Sequence, residues 1–255
     1  MQQSQLKCWP TTMLVGLLVL TACAPGQTGG TAATSDGGAA QPQAFKSVRI
    51  AIGQEPHSWD TRVTKESGSP TAGGIQNMEP LAQDGVRRAA SGGGYVNLLA
   101  AEVPEAAKGT WTVSPNGTMD MTWKIVPNAK WHDGTPVSSS DFEFAVRVRN
   151  DPTAAGLPTG AGTERLLDSV TIIDGRTFVA HWKSVNVTVH SGVGLIPLPK
   201  HLLNDLYVKD PESLGTQRFF TSKYVGTGPF KLTNWERGAF LDFARFDDYY
   251  KGPAS

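Results

Sequence analysis

The chain has 255 residues, and its 23 Lys and Arg residues balance 23 Asp and Glu residues, so the formal net charge is zero. This balance disfavours a general nucleic-acid binder, because no surplus of cations is available to contact phosphates. The length is sufficient for one large domain or two modest ones with a sizeable core. After residue 25 the sequence contains no apolar stretch long enough to span a bilayer.

Residues 1–23 predict a lipoprotein signal peptide. The apolar run at 13–20 is too short for a transmembrane helix and is typical of a signal-peptide core. It leads into Leu-Thr-Ala-Cys at 20–23, which resembles the lipobox of bacterial lipoproteins, so Cys23 is the predicted lipidation site. An ordinary secretory signal with an accidental cysteine is the alternative. Because Cys8 leaves with the signal and Cys23 takes the lipid, the mature chain is expected to have no disulfide.

The next segment is predicted to be a flexible tether, residues 24–46. Residues 24–44 consist of Gly, Ala, Thr, Ser, Gln and Pro with a single Asp, and this composition cannot build a core. Residues 47–52 predict the first strand. The pattern at 77–88 allows a helix interrupted at its proline. The glycines at 92–94 indicate a surface loop rather than a phosphate cradle, because no Lys-Ser or Lys-Thr pair follows them.

The clearest hairpin of the sequence joins residues 111–113 to residues 118–125. Asn116-Gly117 lies between them and supplies the positive φ angles of a tight turn. Apolar and polar residues alternate on the second strand, which predicts one face towards the core and one face towards solvent. The side chains predicted to face the core are Met119, Met121, Trp123 and Ile125.

Helices and two further hairpins follow in the second half. The Ser-Asp-Phe-Glu string at 140–143 has capping-box spacing for a helix, with apolar rows four residues apart. Residues 169–182 predict a hairpin around Asp174-Gly175, and residues 196–203 predict an extended piece that leads into a short helix. The last hairpin spans residues 230–246. This mixture of hairpins and short helices indicates a mixed α/β fold.

The string Gly226-Thr227-Gly228-Pro229 forms a tight turn in front of the last hairpin. Because neither glycine carries a Cβ, a ligand or another backbone segment can approach them closely. The other interpretation is that the glycines only allow the turn, and the sequence leaves both open. The string lacks the third glycine of a dinucleotide fingerprint, since Lys231 stands in that place.

The chain shows no signature of a catalytic or metal site. Its five histidines form no His-Glu-x-x-His pattern, and no Gly-x-Ser-x-Gly elbow is present. His132-Asp133 beside Trp131 is a conceivable acid–base pair, but in a turn such a pair is more often a structural hydrogen-bonded element. We therefore expect no metal, no cofactor and no enzymatic activity.

Between about residue 48 and residue 250, several short sequence strings occur in an order and spacing that are typical of one protein family. They are Val48–Ile52 with Glu55-Pro56 and Trp59-Asp60, Trp123–Ile125, Asn128–Val137, Ser140–Phe142, Pro197–His201, Gly226–Phe230 and Asp248–Tyr250. In this combination the chain resembles the family 5 extracellular solute-binding proteins of ABC importers, which include dipeptide, oligopeptide and nickel binders.

The resemblance implies a two-lobed, mixed α/β fold of the type II periplasmic-binding class, with a small subdomain inserted in lobe one. Residues 47–62 and 169–255 are expected to belong to lobe one, and residues 63–168 to the inserted subdomain. The family chain continues into a second lobe and then returns to lobe one, whereas this sequence stops at Ser255. The second lobe is therefore expected to be missing, either because the sequence is a fragment of a longer reading frame or because the product is truncated.

The resemblance also implies a function: a lipid-anchored, extracytoplasmic receptor that delivers a peptide-like solute to the permease and ATPase subunits of an ABC transporter. Such a receptor is expected to act as a monomer, without cofactor or nucleic acid. A surface lipoprotein hydrolase and a ligand-sensing module are the alternatives, and nickel chelates, haem and oligosaccharides stay open as solutes. By position, the residues expected to face the solute are Val63, Thr64, Lys65, Glu66, Ser67, Val225, Gly226, Thr227 and Gly228.

Overall fold

The computed structural model describes residues 50–51, 58–59, 75–154, 165–192 and 194–254, all within the compact unit Ile50–Ser255. The predicted signal peptide, the tether and Val63–Ser67 lie outside the described residues. So does the predicted first strand, apart from Ile50 and Ala51, which belong to no helix or strand.

Within the described part of the chain, the helices are α1 (Ile75–Ala82), α2 (Ser139–Asn150) and α3 (Lys200–Lys209). The strands are β1 (Arg87–Ala89), β2 (Tyr95–Asn97), β3 (Ala100–Glu102), β4 (Trp111–Val113), β5 (Met119–Ile125), β6 (Leu167–Ile172), β7 (Thr177–Trp182), β8 (Phe230–Glu236) and β9 (Phe240–Arg245). Short 3₁₀ turns occupy Ala106–Lys108, Val187–Ser191, Pro211–Thr216 and Arg218–Phe220.

A five-stranded antiparallel sheet, called here the main sheet, has the order β3-β5-β7-β6, with β4 also paired to β5. The predicted β4–β5 hairpin is confirmed, and Gly117 in its turn has a φ of 85°. The four alternate side chains of β5 are buried, as the pattern predicts. The β6–β7 and β8–β9 hairpins are confirmed as well. The boundary expected at 168/169 falls within β6, and the division into lobe and subdomain stays a prediction.

Helix α2 begins earlier than its sequence pattern indicates. The prediction that Ser140 opens the capping box is wrong, because Ser138 is the N-cap and its N–H donates to Asp141 Oδ2 at 2.9 Å. Asp141 also accepts from the N–H of Lys200 at 3.0 Å, which ties the start of α3 to the start of α2. Burial raises the pKa of this carboxyl, against the hydrogen bonds that it accepts.

The prediction of a helix over residues 77–88 is wrong at both ends. Helix α1 spans Ile75–Ala82 with Pro80 inside it, and residues 87–88 belong to β1 instead. The helix ends at Ala82, where its carbonyl accepts the Gly228 N–H at 3.0 Å. A contact with a distant turn, rather than the proline, therefore marks the end of this helix.

Two apolar clusters form the core, and α2 supplies side chains to both. Phe142 and Val146 pack under the main sheet, where Phe142 stacks on Phe178 at 4.7 Å between ring centroids. Phe144 and Val148 enter the second cluster, which contains Trp59 and the buried residues of α1, α3 and the 3₁₀ turns. The two apolar rows of one helix thus join two halves of the core.

Candidate functional site

The 225–228 turn (Val225–Gly228) lies between the two clusters and is largely buried. Gly226, Thr227 and Gly228 are buried, and Val225 is half-buried. A Cβ on Gly226 would fall 1.8 Å from the carbonyl oxygen of Ala82, and one on Gly228 would fall 2.6 Å from the Ala82 carbonyl carbon. Of the two interpretations of these glycines, close approach by another backbone is the one observed, and the end of α1 is that backbone.

Hydrogen bonds join this turn to residues 82–84. The Asp84 N–H donates to Thr227 Oγ1 at 3.0 Å, and the Thr227 hydroxyl donates back to the Asp84 carbonyl at 3.2 Å. The Tyr224 hydroxyl donates to Gln83 Oε1 at 2.9 Å. Because Thr227 has no exposed surface, its side chain is committed to this internal contact.

His132 holds the same turn from the other side. Its backbone N–H donates to the Gly226 carbonyl at 2.8 Å, and its ring Nδ1 accepts the Gly226 N–H at 3.1 Å. Its Nε2 lies 3.0 Å from the Gly228 carbonyl oxygen. Burial lowers the pKa of His132 to about 4, although the Gly228 carbonyl acts in the opposite direction, so the ring is neutral near pH 7.

Asp84 is the second buried titratable group beside the turn. Its Oδ2 accepts the hydroxyls of Tyr249 and Tyr250, each at 2.8 Å, and its Oδ1 has no hydrogen-bond partner among the described residues. Burial raises the pKa of this carboxyl, and the two tyrosine hydrogen bonds oppose that shift only in part. The carboxyl thereby fixes the segment that follows β9 against the end of α1.

We call this assembly the polar joint. It consists of residues 82–84, His132, the 225–228 turn, Tyr249 and Tyr250. Around it, Lys130 pairs with Asp248 at 2.9 Å, and Asp133 pairs with His201 of α3 at 2.7 Å. His132-Asp133 is therefore a hydrogen-bonded structural element of a turn, which was the favoured interpretation, rather than an acid–base pair.

The sequence singled out part of the polar joint and missed the rest. The strings around His132 and Gly226 are both visible, yet nothing in either shows that they meet across 94 residues. Asp84 stands in no motif, and only the tertiary contacts reveal it. Contact of the 225–228 turn with a solute stays a prediction; Val225 is the member of the turn that keeps partial exposure.

A second polar group lies on the outer face of the main sheet. His181 bridges Asp120, 2.8 Å from its Nδ1, and Thr171, 2.9 Å from its Nε2. A carboxylate, an imidazole and a hydroxyl in this order also make up the catalytic triad of serine hydrolases. These side chains are neighbours on β5, β6 and β7, and each keeps part of its surface exposed to solvent, so we interpret them as a cross-strand surface network.

Within the described ranges, no three His, Cys, Asp or Glu side chains are grouped so that they could hold a metal ion. None of the helices in these ranges is long and apolar enough to cross a membrane.

The family model described as bacterial extracellular solute-binding proteins, family 5 Middle, matches residues 101–255. The periplasmic oligopeptide-binding protein OppA of Haemophilus influenzae is 29% identical over 165 residues, which cover 58% of this chain and 29% of OppA.

Two solved structures are similar in fold. The oligopeptide-binding protein AppA of Bacillus subtilis, in complex with a nonapeptide, aligns with a TM-score of 0.64 at 20% identity, covering 78% of this chain and 36% of AppA. The oligopeptide-binding protein of Thermus thermophilus, complexed with a pentapeptide, aligns with a TM-score of 0.66 at 20% identity, covering 78% of this chain and 37% of that protein. The expected mixed α/β fold of the type II periplasmic-binding class is confirmed, and the chain spans well under half the length of each relative.

Proposed function

Because the chain belongs to the family 5 bacterial extracellular solute-binding proteins, we propose that it supplies part of a receptor that captures a peptide-like solute for an ABC importer. The observation that carries this proposal is the family match over residues 101–255, together with the fold shared with two peptide-bound relatives. The relatives are binding proteins rather than enzymes, which supports a non-enzymatic role.

In this proposal the solute is held between two lobes that close about a hinge, and the closed form is the one that the permease recognises. The described residues supply one side of that cleft. The polar joint makes the 225–228 turn a rigid element, and a contact that is ordered beforehand binds without a further loss of conformational freedom. The proposed contacts are Val63–Ser67 and the 225–228 turn, in which Val225 offers the accessible surface.

The cellular setting is part of the same proposal. The lipobox-like string ending at Cys23 supports lipid anchoring on the outer side of the membrane. We propose a monomeric receptor that delivers its solute to permease and ATPase subunits. Mass spectrometry of the membrane fraction tests the anchor: a diacylated Cys23 peptide supports it, and an unmodified amino terminus elsewhere contradicts it.

Calorimetric titration tests the solute. The product of the whole reading frame is titrated with mixed di- to pentapeptides, and a mixture of free amino acids serves as the control. Saturable heat with the peptides alone supports a peptide receptor. Heat with neither mixture counts against peptides, and nickel–histidine and oligosaccharide titrations then test the other solute classes carried by this family.

A further inference from the structure

Both ring nitrogens of His132 form hydrogen bonds with the main chain of the 225–228 turn, and the contact with Gly226 spans 94 residues of sequence. We infer that His132 is the positioning residue of the 225–228 turn, which it holds through a single neutral tautomer, so that protonation of the ring releases the turn. The link to solute capture rests on the proposed function, whereas the tautomer and its effect on the turn do not.

The partners of the ring determine where its proton resides. The Gly226 N–H can only donate, so the Nδ1 atom, 3.1 Å away, must accept. The Gly228 carbonyl can only accept, so the Nε2 atom, 3.0 Å away, must carry the hydrogen. A doubly protonated ring would set a second N–H against the Gly226 N–H, which removes one hydrogen bond and adds a repulsive contact.

The groups around the ring favour this neutral state. Lys231 on β8 disfavours a positive charge on His132, while the adjacent Asp133 favours it. Asp133 is engaged by His201 at 2.7 Å, and the rings of Phe246 and His132 are nearly perpendicular, with 5.2 Å between their centroids. Lys130 and Asp248 pair with each other nearby, so neither is an uncompensated charge beside the ring. Burial is the largest influence, and it opposes protonation.

The consequence for the proposed cleft concerns Val225. The backbone of Gly226 and Gly228 is held by His132 and Ala82, and the Thr227 side chain is held by Asp84. Val225, at the start of the turn, therefore takes its position from these bonds. His132 itself is only 7% exposed, so it orients the turn rather than contacting a solute.

Nuclear magnetic resonance of the protein labelled with ¹⁵N tests the inference without any solute. At pH 7 we expect the His132 ring to be the Nε2–H tautomer. On acidification the Gly226 amide resonance should shift with the same midpoint as the ring. An Nδ1–H tautomer at pH 7, or a Gly226 amide that does not follow the ring, overturns the inference.

Two variants separate the two ring contacts. His132→Asn places a non-titrating acceptor near the position of Nδ1, and His132→Gln places an amide donor near that of Nε2. We expect amide exchange at Gly226 to stay slow in His132→Asn and to accelerate about tenfold in His132→Gln, the loss of one hydrogen bond. His181→Gln, on the outer face of the main sheet, is the matched control and should leave Gly226 unchanged. Equal acceleration in both His132 variants overturns the inference.

Failure of the two proposals is distinguishable. If the tautomer and the coupled titration are found but no peptide gives heat, the positioning role stands and the peptide receptor fails. If peptides bind but the Gly226 amide resonance does not titrate together with the His132 ring, the peptide receptor stands and the positioning role fails.

Discussion

His132 and His181 each use both ring nitrogens in hydrogen bonds, yet they lie in opposite surroundings. His132 lies in the polar joint with 7% of its surface exposed, and its ring partners are two backbone groups. The His181 side chain is 32% exposed, and its partners are a carboxylate and a hydroxyl that can rotate. The two backbone partners of His132 fix which ring nitrogen carries the hydrogen, whereas the Thr171 hydroxyl beside His181 can rotate to donate or to accept. Burial and partner type, rather than the number of hydrogen bonds, make one histidine a structural clamp.

The largest effect is expected from the closest contact in the polar joint. Gly226→Ala puts a Cβ 1.8 Å from the Ala82 carbonyl oxygen, so α1 and the turn must separate. We expect a loss of about 3 to 5 kcal/mol in the free energy of unfolding, measured by chemical denaturation. Gly92→Ala is the control, because a Cβ there meets nothing within 4 Å. Similar losses for both glycines would show that the contact with α1 is unimportant.

The next effect compares the two histidines directly. His132→Phe leaves the Gly226 N–H and the Gly228 carbonyl buried without their partner, which costs about 2 to 4 kcal/mol. His181→Phe removes two hydrogen bonds at an exposed site and should cost less than about 1 kcal/mol, because water replaces the lost partners. Urea denaturation of both variants at pH 7 measures the difference. A larger cost at His181 would reverse the comparison.

The pH dependence of stability follows from the lowered pKa of His132. The unfolded ring titrates near 6.5 and the folded ring near 4, so the unfolded chain binds more protons between these values. The contribution of His132 is therefore complete above pH 6.5 and is lost as the pH falls through this window, by about 3 kcal/mol at most. Denaturation at pH 4, 5, 6 and 7 measures the slope. His132→Asn should remove this part of it, and an unchanged slope would contradict the assignment.

Asp84 is expected to show the opposite sign of pH dependence. Its pKa is raised in the folded protein, so its contribution is complete below pH 3.8 and declines as the pH rises through the folded value. Asp84→Asn should therefore cost more at pH 3 than at pH 7, as urea denaturation at the two pH values measures. Asp120→Asn, on the outer face of the main sheet, serves as the exposed control. A cost for Asp84→Asn that grows with pH would show that the carboxyl is held as an anion.

Local chemistry in the sequence was sufficient to predict most of the hairpins. Asn116-Gly117 and the alternation along β5 predict a turn and a buried face that the structure confirms. Where a boundary depended on a distant contact, the prediction was less accurate. Helix α1 ends where the Ala82 carbonyl meets the Gly228 N–H. The start of α2 was missed for a local reason, because three serines precede Asp141 and Ser138 is the one that caps the helix.

The sequence by itself determined three hairpins, the core face of β5, the turn at Gly226-Thr227-Gly228 and, through several strings together, the family. These features depend on residue periodicity and on backbone preferences that act over a few neighbours. Only the tertiary structure decided that His132 and Asp84 hold this turn from two sides. Their partners lie 94 and 143 residues away, and burial, which shifts both pKa values, exists only once those segments have packed together.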